Sequence, residues 1–268
     1  MGEHSRAAAG ARLNLGATHR YSTVEFKVGK DTFDVLILTG RPASGKSEII
    51  DFLTRTPLDV RRDTFHVAHL DVLDDFPMLW AWFEEDRILN QRLGQPGLHT
   101  DGEGYFKYPY LWDLLVERLG LEYEKRLRDD PAYHEHTTTL LEFARGEEHG
   151  GYGNAFDHLR DGLLQRAAVV YLRVSFHESL RKNRRRFNPQ RPDSILEHAL
   201  PDDKLARLYG SDDWDAFSRG DPHYLSVRSL RVPYVVFENE DDVTSSRPDL
   251  LAARLEEVLG RLWALRVS

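Results

Sequence analysis

Eight residues carry the sharpest chemical signal in the chain: Gly40-Arg41-Pro42-Ala43-Ser44-Gly45-Lys46-Ser47. They match the pattern G-x-x-x-x-G-K-[ST] at every fixed position. Its glycines let the backbone curl until successive N–H groups face one anion, and a helix following directly adds the positive end of its dipole. Lys46 would bring a mobile ammonium to the β and γ phosphates of a nucleoside triphosphate, with the Ser47 hydroxyl as magnesium ligand. The loop therefore predicts a nucleotide site, for ATP with Mg2+, built from Gly40, Pro42, Ser44, Gly45, Lys46 and Ser47.

Further residues could act on what the loop holds. Asp71 follows the apolar run Phe65 to Leu70. A carboxylate at the C-terminal edge of such a strand lies where open α/β sheets bind ligands, and it could accept or orient the proton of an attacking hydroxyl. A helix-capping role is the alternative. Asp74 and Asp75 are explained as the cap and first-turn charge of the next helix. Glu142 falls inside the run Thr137 to Phe143, where an ionised group needs a partner or a metal. Arg145 could pair with it. Otherwise Glu142 would orient magnesium-bound water or the acceptor, and Arg145 would clamp an acceptor phosphate or a base edge. The glycine-rich stretch around His149 and Tyr152 either closes over an acceptor or simply connects. Arg181 to Arg186 carries five positive charges in six residues. Arg181 and Arg185 share a helix face there and suit a transferring phosphoryl group, although a solvated face or a nucleic-acid contact would look the same. His134 and His136 lack zinc-type helical spacing, and Trp80, Trp82 and Phe83 are better suited to core packing than to stacking on a base.

The elements needed to position these groups can be read from the pattern. Strands are expected at Phe33 to Thr39, Phe65 to Leu70, Thr137 to Phe143, Ala168 to Val174 and Val232 to Phe237, with a half-buried strand at Val24 to Val28 ahead of them. The four consecutive aliphatics Val35 to Leu38 suit a strand covered on both faces. Helices are expected at Glu48 to Arg55, Phe76 to Leu93, Leu111 to Leu127, Ala155 to Arg166, Phe176 to Phe187 and Leu250 to Leu265, with a loop from Gly94 to Tyr108 and a polar, proline-broken segment from Asn188 to Asp221. Strands alternating with helices predict a three-layer α/β/α fold around a five-stranded, mainly parallel sheet. Residues 21–268 are expected to form one domain, with a helical insertion at about 76–131 and a mobile lid-like segment at about 176–221.

Composition bounds the function. The chain has 268 residues, 41% hydrophobic and 30% charged, as in ordinary soluble domains. It has no cysteine, which removes disulfides, thiolate metal sites and cysteine nucleophiles and fits a cytoplasmic location. A net charge of −8 disfavours a broad grip on nucleic acid. No apolar run is long enough to span a membrane. Residues 1–20 lack the apolar core of a secretory signal and read as a flexible tail or a transit peptide.

The form Gly40-x-Pro42-x-Ser44-Gly45-Lys46-Ser47 resembles the loop of the P-loop kinases, a superfamily that includes nucleoside, nucleoside-monophosphate, small-metabolite and zeta-toxin-like kinases. The resemblance covers most of residues 33 to 265 as an order of elements, and only the loop is a sharp motif. It implies that Asp71 touches the phosphoryl acceptor, that Glu142 and Arg145 hold the acceptor or position magnesium, and that arginines of the helix after the fourth strand, among them Arg181 and Arg185, act from a lid. It also implies that Asn239, just past the last strand, lies near an adenine ring; a turn residue is the alternative. Tyr152 would belong to the acceptor side. The function expected is transfer of the ATP γ-phosphoryl group to a small nucleoside, nucleotide or related metabolite. The alternatives are a regulatory nucleotide-binding module or slow ATPase, and a kinase acting on nucleic acid. A GTPase is excluded by the absence of Asn-Lys-x-Asp after a later strand.

Overall fold

The aliphatic run Val35 to Leu38 is wholly buried, and it forms the middle of the sheet. A computed structural model describes residues 31–186 and 199–267; the strand expected at Val24 to Val28, the tail before it and residues 187–198 lie outside the described residues. β1 (Val35–Gly40) leads into α1 (Lys46–Arg55) and α2 (Leu58–Phe65), then β2 (His69–Asp74), α3 (Phe76–Arg92), α4 (Tyr110–Asp129), the short α5 (Tyr133–His136) and β3 (Thr137–Phe143). A 3-10 turn (Glu147–His149), α6 (Gly151–Asp157) and α7 (Asp161–Leu164) precede β4 (Ala167–Arg173) and α8 (Phe176–Arg186). The chain ends with α9 (Asp202–Tyr209), α10 (Trp214–Phe217), β5 (Tyr224–Val227), β6 (Leu230–Glu238), α11 (Val243–Ser246) and α12 (Pro248–Val267).

The sheet has six strands in the order β2-β3-β1-β4-β6-β5, rather than the five expected. The five expected strands pair in parallel, and β5 adds an antiparallel edge against β6. β5 is four residues long and too short to show a period in the sequence. Alternation along β1 divides the core. Val35 and Ile37 join a cluster with Val116, Tyr123, Phe156 and Trp214 on one face; Leu36 and Leu38 join Ile49, Leu53, Leu255 and Leu259 on the other. Helices thus cover both faces, as a parallel sheet requires, and each buried Leu or Ile contributes about 1.5–3 kcal/mol.

Two expected boundaries are corrected. The segment from Phe65 to Leu70 is not one strand: Phe65 closes α2, His66 leaves the helix at φ 56°, and β2 begins at His69. The strand therefore runs on to Asp74, with Asp71 in its middle. The helix expected at Ala155 to Arg166 is two short helices, because the chain turns to bring Leu159, Leu163 and Leu164 into the core. The insertion appears as α3, a loop and α4. In the lid-like stretch the described residues form α8, α9 and α10. Among the described residues no helix is long and apolar enough to cross a membrane.

Candidate active site

The loop between β1 and α1 is locked by contacts from the neighbouring strands. Gly40 (φ 151°) lies against β4, so that a Cβ there would sit 2.5 Å from the Leu172 carbonyl oxygen. Gly45 (φ 109°) has a left-handed conformation, and a Cβ would meet Asn239 Nδ2 and Thr244 Oγ1 at 2.6 Å. Both positions therefore need glycine. Asn239 Nδ2 donates to the Ser44 carbonyl at 2.7 Å and to Thr244 Oγ1 at 2.8 Å. Ser179 Oγ of α8 donates to the Pro42 carbonyl at 2.7 Å. Arg41 turns away from the loop to pair with Asp212 at 2.6 Å.

Beyond Gly45, α1 presents its first N–H groups, which have no partner within the helix. Lys46 Nζ folds back onto the loop, donating to the carbonyls of Gly40 and Arg41 at 3.2 and 3.1 Å. Burial pushes its pKa down, and Glu142, whose Oε1 stands 3.9 Å away, opposes that shift. Ser47 Oγ lies 3.5 Å from the same carboxylate oxygen. The Ser44 hydroxyl is buried without a hydrogen-bond partner among the described residues. An unpaired hydroxyl, an ammonium held by weak contacts and a helix N-terminus at one curled loop together fit a phosphate group.

Opposite the loop stand two carboxylates. Glu142 of β3 and Asp74 of β2 occupy facing register positions on adjacent strands. Burial is the main cause that raises both: it lifts Asp74 to about 7, helped by the charges of Glu142 and Asp75, and holds Glu142 above its ordinary value despite Lys46. The Phe76 N–H donates to Asp74 Oδ1 at 2.9 Å and fixes its direction. Lys46, Ser47, Asp74, Glu142 and Arg186 all line one cavity of about 1020 Å³. Among the described residues no group of three or more His, Asp or Glu could hold a metal ion. Magnesium on nucleotide phosphates needs only one or two protein ligands, and Ser47 with Glu142 could supply them.

Several expected site residues lie elsewhere. Asp71 accepts from Arg126 Nε and from the Tyr133 hydroxyl, each at 2.8 Å, and does not line the cavity. The strand begins and ends four residues later than expected, so Asp74 takes the edge position assigned to Asp71. Arg145 does not pair with Glu142: it is buried, donates to Asp75 Oδ2 at 2.6 Å and to the Trp112 carbonyl at 3.2 Å, and packs between the Trp112 and Phe143 rings. It shapes the cavity wall with its charge already neutralised. Asn239 is fully buried and braces the loop, so it offers nothing to an adenine ring. Tyr152 is fully buried against Tyr171 and Trp214, in the core rather than on the acceptor side.

The basic helix is paired throughout. Arg181 bridges Glu178 and Asp242 at 2.6 and 2.9 Å, Arg185 also meets Asp242, and Arg184 meets Asp202. Arg181 and Arg185 do not reach the large cavity. Arg186 does, held 3.0 Å from Glu48 in the first turn of α1. Periodicity places Arg186 on α8 but does not say which face of the helix meets the loop. Asp74 had a clearer signal: Pro77 suits the first turn of a helix, which makes Asp75 the cap and leaves Asp74 as the last strand residue.

No protein-family model matches this chain, and no curated protein matches it. Solved structures do. One is a sugar kinase from a Janibacter species without ligand, 14% identical over 87% of this chain and 98% of that one, with a TM-score of 0.36. Another is shikimate kinase from Acinetobacter baumannii in complex with shikimate, 13% identical over 66% of this chain and 76% of that one, with a TM-score of 0.31.

Proposed function

We propose that this protein is an ATP-dependent phosphotransferase that moves the γ-phosphoryl group to a hydroxyl of a small molecule. One observation carries the reading: the phosphate-gripping loop and the carboxylates at the ends of β2 and β3 face each other across a single cavity. The second carboxylate beside Glu142 gives the cavity a proton acceptor as well as a phosphate grip.

In this reading the loop amides, the α1 N-terminus and Lys46 hold the β and γ phosphates, and Lys46 exchanges its carbonyl contacts for phosphate oxygens. Ser47 and Glu142 would hold a magnesium ion, whose charge would offset that of the phosphates. Arg186 leaves Glu48 and stabilises the equatorial oxygens of the transferring group. Asp74 accepts the proton of the acceptor hydroxyl as its oxygen bonds to the γ phosphorus and the bond to the leaving ADP oxygen breaks. A pKa near 7 suits that task, because a base works best when its pKa lies close to the working pH. Catalysis rests on positioning and charge compensation.

A nucleic-acid substrate finds less support, since Arg181, Arg184 and Arg185, which would track a phosphate backbone, are engaged with Glu178, Asp202 and Asp242. The test is a transfer screen with γ-labelled ATP over nucleosides, sugars, aromatic alcohols and oligonucleotides. Label should appear on a small-molecule alcohol with wild type and not with Lys46→Ala. Hydrolysis without transfer to any acceptor would replace the reading with that of an ATPase.

A further inference from the structure

Beside the phosphate cavity lies a second, of about 500 Å³. Phe76, Leu79, Trp112, Leu200 and Tyr209 line both, so the two spaces share a wall. The rest of the second cavity is built mainly of rings: Trp80 and Phe83 from α3, Tyr105 and Phe106 from the following loop, and His149 from the 3-10 turn. These rings support one another. Phe106 lies 4.7 Å from Trp112 and 5.8 Å from Phe83, and His149 stacks on Trp112 at 3.8 Å.

The charged groups of this wall are already engaged. Glu84 accepts from Trp80 Nε1 at 3.2 Å, Arg207 pairs with Glu148 at 2.8 Å, and Lys204 donates to the carbonyls of Glu103 and Gly104. Arg87 is engaged as well. His149 adds no charge: burial first, then the nearby Arg145 cation, pushes its pKa down to about 3, and it presents a neutral ring. The cavity therefore offers mainly stacking faces: Arg207 and Glu148 neutralise each other, and Lys204 is held by two carbonyls and over the Tyr105 ring.

We infer that this second cavity holds the body of the phosphoryl acceptor, and that the acceptor is an uncharged alcohol carrying a flat aromatic or broad apolar ring system. The inference rests on the phosphotransfer reading and narrows its substrate class. A ring system buried here gains apolar contact and offset stacking, in a space of the size usual for small ligands. A sugar phosphate or an open polyol would lose water from groups that the rings cannot hydrogen-bond. The hydroxyl that reacts must reach past the shared wall toward Asp74. Its oxygen then joins the γ phosphorus, its proton goes to Asp74 and ADP departs.

The test titrates the full chain, without nucleotide, with naphthylethanol, adenosine, glucose and glucose phosphate by calorimetry; ATP is titrated separately. The two ring-bearing alcohols should bind at least about tenfold more tightly than glucose or its phosphate. Leu208→Trp, which fills only the second cavity, should weaken them about tenfold and leave ATP binding unchanged. Phe83→Leu, which keeps an apolar wall but removes a ring, should weaken them less, and it carries the test if the larger side chain prevents folding. Equal or tighter binding of glucose or its phosphate, or two silent variants, overturns the acceptor class while the phosphotransfer reading stands. Absence of ATP binding overturns that reading instead, and the alcohol titrations then still report on the cavity alone.

Discussion

Asp74 and Glu142 stand directly opposite each other at the carboxyl ends of β2 and β3, two half-buried acids lining the same cavity as Lys46, whose ammonium lies 3.9 Å from Glu142. The arrangement separates their tasks. Glu142 is within reach of Lys46 and Ser47, while the 2.9 Å bond from the Phe76 N–H turns Asp74 beside it. If Asp74 is the base, kcat/KM should rise with pH through about 7 as its carboxyl ionises. Asp74→Asn should lower kcat about 10²-fold or more and abolish that limb of the profile. A profile unchanged in the variant would remove Asp74 from the chemistry.

The same residue makes a prediction about stability with the opposite sign to most acids. Its folded pKa of about 7 lies above the ordinary value of 3.8, so the folded state holds the proton more tightly. Stability from this group is full below the ordinary value and is lost as pH rises toward 7. Asp74→Asn should therefore melt at the same temperature as wild type near pH 4 and at a higher temperature near pH 8. Calorimetric melts of the nucleotide-free protein at the two pH values decide it.

Arg186 and Arg184 are neighbours on α8 with different partners, Glu48 beside the loop and the exposed Asp202. Arg186→Ala should cost kcat about 10²-fold, the scale seen when one donor to a developing charge is removed. Arg184→Ala should stay within about threefold, since an exposed ion pair contributes little. Equal losses would place the catalytic cation elsewhere.

The Asp75–Arg145 pair is buried on both sides. Asp75→Ala should lose about 3–5 kcal/mol in urea unfolding, because it strands a guanidinium in the core. Replacing both partners by Leu and Met should recover much of that loss. A single variant that unfolds like wild type would show that the guanidinium had found water.

Tyr152 sits in the core with its hydroxyl close to the Arg145 backbone, and burial holds its pKa well above the ordinary value. Tyr152→Phe should change stability by no more than about 1 kcal/mol and leave acceptor KM unaltered. A large rise in KM would restore Tyr152 to the acceptor site.

The strands that carry the site were legible because burial on both faces leaves an unbroken aliphatic run, and Thr137 to Phe143 is assigned to the residue. The curl of the loop was legible because Gly40 and Gly45 hold positions where a Cβ would collide with its neighbours. What was not legible depends on contacts distant in sequence. Nothing near Asn239 reveals that it braces Ser44, 195 residues away. Nothing near Arg145 reveals Asp75 as its partner, 70 residues before it. The sequence points to Asp71 rather than Asp74 because α2 ends in Phe65, whose apolar side chain mimics the start of a strand. The facing of the α8 arginines is set by packing against the loop, which periodicity alone does not report.

Everything proposed for this site depends on the loop from Gly40 to Ser47 gripping the phosphates of ATP with Lys46. Calorimetric titration of magnesium ATP into wild type and Lys46→Ala tests it most directly. Saturable one-site binding to wild type is expected, weakened about 10²-fold in a folded Lys46→Ala protein, as loss of a charge-assisted bond to phosphate implies. Equal affinity in the two proteins, or no heat of binding to wild type at any concentration, would contradict it.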